Sequence, residues 1–415
     1  MKTGCYLIHG LIVLLAFAAV SLPPAFGGPT ELVPAVSLRW EYNDNILLSG
    51  SNEQEDIITI ATGSIQVQRN SERLNAAVGI NIDKVMYEDN SGLNDVDKRF
   101  SLNGSYWLTE RWVADILGIW SKDSIRSSEI DTTGLALTGD SESRDVRLST
   151  RYLISELGRL NLEIGLNARD IQETGEEEKN RQFNVALGYT HNLSKWWPNT
   201  TGLLNFSYLA YDSQIHTRET DSLFPVETTR EFQSDIWQMT LGVSKQLTAL
   251  FSMYVQAGIG YTDTREVLIR SGSLSSTDTS NDEVVSGIFL AGVEYRGLYN
   301  GAGLSFSHDV RGGAGSNGAV ERTSALFNYY HRITDSLTVT FNLSGYLNRN
   351  DRTTTADTDK LTLDVQPGFS YRIGREWFFK GGYRFTSIED RQEDTATHRS
   401  LIYVELAKQF IFDID

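Results

Sequence analysis

The 415-residue sequence predicts an all-β fold, a transmembrane antiparallel up-and-down β-barrel of about eighteen strands. Three observations point there. Stretches of period-two hydrophobic alternation recur along the chain, and aromatic residues gather where those stretches meet short polar turns. Beyond the N-terminal leader, no apolar run is long enough to cross a membrane as a helix. The clearest unit runs from Leu361 to Asp390. In it Leu361, Leu363, Val365, Phe369 and Tyr371 oppose Thr362, Asp364, Gln366, Gly368, Ser370 and Arg372. After a turn, Trp377, Phe379, Gly381, Tyr383 and Phe385 oppose Lys380, Gly382, Arg384 and Thr386. Alternation of period two makes one face apolar and the other polar. Tyr371 and Trp377 flank the turn, where a membrane hairpin carries its interfacial rings.

Taken from its start, the chain opens with Lys2, an apolar run from Leu11 to Val20, Pro23 and Pro24, then Ala25-Phe26-Gly27. That pattern reads as a secretory signal peptide over 1–27, cleaved after Gly27, and it implies export across the inner membrane toward the bacterial outer membrane. The chain's single cysteine, Cys5, lies in this leader, so the mature chain has no disulfide and no thiol-ligated metal. A lead over 28–35, a barrel over 36–412 and a tail over 413–415 follow. Only 40% of residues are hydrophobic. Strands that hide their apolar half by alternation account for so modest a value in a membrane protein.

Eight short turns recur: around Asn70, then Tyr106–Trp112, Arg151–Leu160, Tyr189–Trp197, Ser244–Phe251, Tyr295–Asn300, Tyr330–Leu337 and Tyr371–Trp377. Their rings nominate Tyr106, Trp112, Trp196, Trp197, Tyr371 and Trp377 as an aromatic girdle. Between the turns lie nine longer polar segments: Ser49–Glu55, Glu88–Val96, Ser128–Glu142, Gln172–Asn180, Gln214–Thr229, Arg265–Asp282, Arg311–Ala319, Asn350–Thr358 and Glu389–Thr397. Short periplasmic turns alternating with longer extracellular loops give eighteen strands, with both ends in the periplasm. Sixteen remains open, because Leu203–Tyr211 is apolar on both faces and Pro367 falls inside a strand that needs donors. A soluble secreted sandwich or propeller is the alternative architecture. It would bury apolar faces against each other without rings at the turns.

Charge divides sharply along this plan. The nine segments hold 25 acids and 7 bases, and the rest of the mature chain holds 29 of each. Acidic loops keep a rim hydrated, bind divalent cations shared with anionic lipopolysaccharide, or repel anionic solutes. Glu88–Asp95 lacks the spacing of a calcium loop, so no metal site is assigned. The acidity and the absence of a basic patch speak against nucleic acid. On the polar parity, Arg147, Arg151 and Arg169 form one candidate lumen group, and Asp364, Arg372, Lys380 and Arg384 form another. They are read either as cross-strand ion pairs that stiffen the wall or as a polarised constriction in a wet pore. A wall of eighteen strands leaves room for water. A loop such as Arg265–Asp282, folded inward, would narrow the bore.

The opening strand Val36–Ser49, with its core Glu41-Tyr42-Asn43-Asp44-Asn45, resembles the first strand of outer-membrane β-barrel porins associated with exopolysaccharide synthesis and export and with exosortase (PEP-CTERM) systems. The resemblance extends to the hairpin repeats and to Ser400–Phe410. It implies a barrel that passes or accompanies a secreted glycan, and it brings no catalytic residues or cofactors. One departure is the ending. Ile411–Asp415 follows Phe410, which moves the terminal aromatic to Phe410 or Phe412.

Enzymatic chemistry finds no support in the residues. The mature chain has His191, His216, His308, His331 and His398; His308 stands beside Asp309 with Ser305 and Ser307 nearby, but those serines take the opposite parity. Two functions remain. One is a porin-like channel for hydrophilic solutes or exopolysaccharide, with Tyr254, Tyr346 and Tyr403 in the lumen to stack on sugar rings. The other is a non-conducting scaffold that contacts envelope glycan or a partner protein.

Overall fold

The computed structural model describes residues 29–125, 139–173, 176–219, 226–271, 275–312, 319–350 and 358–414. The expected signal peptide and most of the 128–142 segment lie outside them. The strands are β1 (Thr30–Asn43), β2 (Asp56–Asn70), β3 (Leu74–Tyr87), β4 (Asp95–Thr109), β5 (Trp112–Ile125) and β6 (Gly139–Leu153). They continue as β7 (Gly158–Glu173), β8 (Glu176–Asn192), β9 (Thr200–Glu219), β10 (Val226–Gln246), β11 (Phe251–Ser271) and β12 (Ser276–Arg296). The last are β13 (Asn300–Gly312), β14 (Ala319–Arg332), β15 (Leu337–Asn350), β16 (Thr358–Ile373), β17 (Trp377–Asp390), β18 (Thr395–Gln409) and the short β19 (Phe412–Ile414). From β1 to β18 each strand pairs antiparallel with the next in sequence, and β1 closes the ring on β18 from Ala35↔Gln409 to Asn43↔Leu401.

β19 pairs with Thr30–Leu32 of β1. It therefore continues β18 past a break at Phe410 and Ile411, and the closed wall has eighteen strands rather than sixteen. Leu203–Tyr211 lies inside β9. Pro367 lies inside β16, where the ladder to β17 skips from Val365↔Phe385 to Gly368↔Gly382, as a residue without an N–H requires. The segments expected as a lead (28–35) and a tail (413–415) are wall as well, from Thr30 and through Ile414. Pro34 and the break after β18 interrupt the alternation there, so the pattern hid strands that backbone pairing completes.

The outward parity forms an apolar belt. On β11 it reads Phe251, Met253, Val255, Ala257, Ile259 and Tyr261, then turns polar at Asp263 and Arg265. At about 3.3 Å per residue and a tilt of about 40°, that run rises about 25 Å, the height of a barrel's lipid-facing band. Leu241 is 67% exposed, Ile259 65% and Val285 72%. Large apolar side chains standing uncovered all round a closed sheet exclude a sandwich, whose apolar faces would cover each other. Rings mark both margins of the belt: Trp112 and Tyr152 meet edge-on at 6.4 Å near the turns, and Tyr208 and Trp237 lie 4.2 Å apart near the loops.

Much of what the sequence marked as long loops is strand. β9 to β12 run 20 to 21 residues, and their ladders continue to Val226↔Glu219 and Arg270↔Ser276. In Gln172–Asn180 the described residues are strand, with the β7–β8 ladder running to Glu173↔Glu176. Above the belt polar residues take both faces, and Val267, Leu268 and Ile269 follow one another without alternation, so the period-two signal fades while the backbone bonds go on.

The Glu41–Asn45 motif locks the seam. Asn45 is fully buried; its amide donates to the carbonyls of Ser49 (2.9 Å) and His398 (3.0 Å). The Asp44 carboxylate accepts from the Ser400 N–H at 2.6 Å. The β1–β2 connection is thus held to β18, and Ile46 packs on Ile58, Val85 and Tyr87. Asp56, at the loop end of β2, orders the next connection by accepting the N–H groups of Glu88, Asp89 and Asn90 and the Asn90 amide at 2.8–3.1 Å. Burial raises the Asp56 pKa, but the four donors outweigh it and hold the carboxyl below its ordinary value. The stabilisation is therefore present above the ordinary carboxylate range, near 3.9, and fades as pH falls through the lower folded value. Asp56→Asn should expose the Glu88–Asn90 amides to hydrogen exchange at neutral pH, with a local loss of about 1–3 kcal/mol. Wild-type protection there should persist down to pH 4. Equal protection in both proteins would remove this role from Asp56.

Candidate functional site: the lumen

The inward parity lines a lumen with two unlike halves. Near the turns its charged side chains are solvated and paired along the wall. Arg147 on β6 meets Glu163 on β7 at 3.5 Å, and Arg151 meets Asp115 on β5 at 3.3 Å. Lys380 on β17 meets Glu405 on β18 at 2.9 Å. Arg372 lies exposed at the turn end, donating to the Asp335 carbonyl at 3.3 Å, and Arg169 faces inward higher on β7. The seven lumen residues thus fall into two groups, on β6–β7 and on β16–β17. In the second, Arg372, Lys380 and Arg384 are no row of free cations, because Lys380 and Arg384 already meet acids of neighbouring strands.

Asp364 and Arg384 form the most enclosed pair. Arg384 Nε donates to Asp364 Oδ1 at 2.8 Å, Thr386 adds its hydroxyl at 2.7 Å, and Gln366 adds its amide. Asp364 is 2% exposed, and Arg399, at 1%, reaches Thr386 at 3.5 Å. A buried carboxylate depends on its partners, since removing one leaves a charge without compensation.

Toward the loops the lumen is packed. Tyr211, Ser213, Ser234, Ile236, Thr262 and Thr264 all face inward and are buried. Tyr211 donates to Asn180 at 2.7 Å, and the Ser234 and Thr264 hydroxyls lie 2.8 Å apart. The top of β13 covers them. The β12–β13 ladder stops at Phe289↔His308, and β12 continues upward paired only with β11. Val310 and Ala319 instead pack on Ile236, with Leu209 beside them. Gln238 on β10 donates to the Val310 carbonyl at 2.8 Å, and Gln182 on β8 donates to the Gly312 carbonyl at 3.4 Å. A Cβ on Gly312 would sit 2.6 Å from the Tyr211 ring, so this approach needs glycine.

The upper ends of β13 and β14, at Val310, Gly312 and Ala319, therefore turn into the barrel. The strand residues of the expected inward segment Arg265–Asp282, up to Ser271 and from Ser276, instead stand in the wall as β11 and β12. The sequence reading missed the Arg311–Ala319 segment, though it carries one signal: it is the only one of the nine segments without an acid. In a rim that is otherwise acidic, it is the segment with least charge to desolvate. Of the tyrosines expected to meet sugars, Tyr346 is buried in this upper half, and Tyr403 lies beneath the Arg39 guanidinium at 4.1 Å. Of the girdle residues, Trp112, Trp196, Trp197, Tyr371 and Trp377 are exposed at the turn end, and Tyr106 is half-buried beside them. Lys408 lies over the Trp377 ring at 5.2 Å.

No protein-family model matches the chain, and no curated protein matches it in sequence. Solved structures do match in fold. The ferric-catecholate import receptor Fiu of E. coli K12 in its closed form aligns with a TM-score of 0.52 at 7% identity, over 93% of this chain and 82% of that one. The ferric yersiniabactin uptake receptor FyuA of Yersinia pestis aligns at 0.49 and 7% identity, over 91% and 80%. The fold is that of an outer-membrane β-barrel. These neighbours are import receptors, and at such identity they share the barrel alone with this chain.

Arg384→Ala should destabilise the folded barrel by about 3 kcal/mol by stranding Asp364, measured by urea unfolding in lipid vesicles. Asp364→Asn/Arg384→Gln, which removes both charges, should recover most of that loss. Equal stability of the single variant and wild type would show that the pair carries no such load.

Proposed function

We propose that this barrel is an outer-membrane channel for small hydrophilic solutes, with its turns in the periplasm and its loops outside. The exposed rings at the turn end, Trp112, Trp196, Trp197, Tyr371 and Trp377 with Tyr106, would anchor it at the inner lipid interface. The single observation that carries the reading is the contrast within the lumen. A solvated half lined by charges of both signs meets a half narrowed by the top of the β13–β14 hairpin. Paired charges such as Arg147–Glu163 and Lys380–Glu405 would orient a hydrated solute without holding it. The buried upper half favours small solutes over a polymer. Given the resemblance of the first strand to exopolysaccharide-associated porins, short glycans are the first solutes to try.

Refolded protein in planar bilayers should show small single-channel conductance, and liposomes containing it should swell faster with small sugars than with longer oligosaccharides. Val310→Asp, which places a charge in the Ile236–Ala319 cluster, should expel the hairpin and raise conductance severalfold. Vesicles that stay tight with wild type and variant alike would reject the channel and favour a scaffold barrel.

A further inference from the structure

We propose that Lys84, Lys98 and Lys122 form a binding site for the phosphate of an outer-leaflet lipid headgroup. They come from the adjacent strands β3, β4 and β5 and share the outward parity, with Ile82, Phe100 and Trp120 next to them on the belt side. Lys98 stands directly opposite Lys122, and Lys84 lies diagonal to Lys98, since Ile82 faces Lys98 and Lys84 faces Val96. Directly opposed residues sit about 5 Å apart at Cβ and diagonal ones about 7 Å, so the three ammonium groups can converge on one anion.

All three lysines are exposed. Among the described residues none makes an ion pair. The acid opposite Lys122, Glu142, is taken by Arg144 and by the Trp120 indole at 2.9 Å. Like charges directly opposed destabilise a sheet. Here they occur in a chain with 54 acids and 37 bases, so no general excess of lysine places them. An anion resolves the conflict, and the position selects which kind. The cluster borders the apolar belt on its lipid side, where flexible lysine stems lie along acyl surface and lift their charges to the interface. The ligand is thus a phosphate carried on acyl chains, the chemistry that a lipid A headgroup supplies.

The inference rests on the outer-membrane placement proposed above but not on conduction, because none of the three lysines faces the lumen. The test is binding of bisphosphorylated lipid A to full-length protein in micelles, beside the same lipid stripped of phosphate, with inorganic phosphate as competitor. The variant K84Q/K98Q/K122Q should bind the phosphorylated lipid at least about tenfold more weakly. Its affinity for the stripped lipid should be unchanged, and K84R/K98R/K122R should bind as wild type does. Lys245→Gln, at the turn end of the same outer face, should have no effect. Should the triple variant fail to fold, Lys98→Gln alone should still weaken binding. Equal affinity for the two lipids, or full affinity in the folded glutamine variants, would overturn the site. Displacement of the lipid by equimolar inorganic phosphate would overturn the lipid assignment. Unchanged conductance of the triple variant separates this site from the channel, and non-conducting wild type that still binds lipid would leave the site standing.

Discussion

Everything in this molecule depends on the closure of one sheet. In hydrocarbon an unpaired N–H or C=O costs several kcal/mol, so a spanning sheet is stable only when its first strand finds its last. Here β1 meets β18 over nine residue pairs, and β19 extends the contact to the chain's described ends. The contacts that fix this seam are polar and buried. Asn45 and Asp44 reach across to the His398 carbonyl and the Ser400 N–H, bonding residues more than 350 positions apart. The Glu41–Asn45 motif therefore has a structural reason to exist beyond any resemblance it carries.

The ring is complete up to Phe289 and parts above it. The last β12–β13 pair, Phe289↔His308, lies level with Ala257, four residues before Tyr261 faces Val285 at the upper margin of the belt. From there the top of β13 leaves the wall and covers the inner face of β8–β10. Small side chains there, Ser213, Ser234, Thr262 and Thr264, make a flat bed for it, and Gly312 clears the Tyr211 ring. The lumen beside the upper parts of β9 to β11 is thereby packed with buried side chains.

Charge follows the same division of space. Within the lumen, acids and bases pair on adjacent strands and neutralise one another. Outside, the rim is acidic, except where three lysines meet on the lipid face of β3–β5. A net charge of −17 describes neither environment, because it averages over surfaces that face different solvents.

The fold was legible from the sequence because lipid and water sort side chains by parity, and parity is local. Phe251 to Tyr261 declares a strand and its faces without reference to any other residue. The rings at Trp112, Tyr371 and Trp377 likewise announce the turn ends. Where the alternation lapses, as in the upper parts of β9 to β12, the pattern goes silent and reads as loop. Parity also named the inward residues, including Asp364 and Arg384, though not their partners. It could not show that Val310, whose parity points outward, would lie inside the barrel against Ile236. That placement depends on where the β12–β13 ladder stops and on what the opposite wall offers, and both are set by contacts between segments 70 and more residues apart. Composition and periodicity determined that the chain is a barrel; only the packing of distant strands decided that the top of β13 lies inside it.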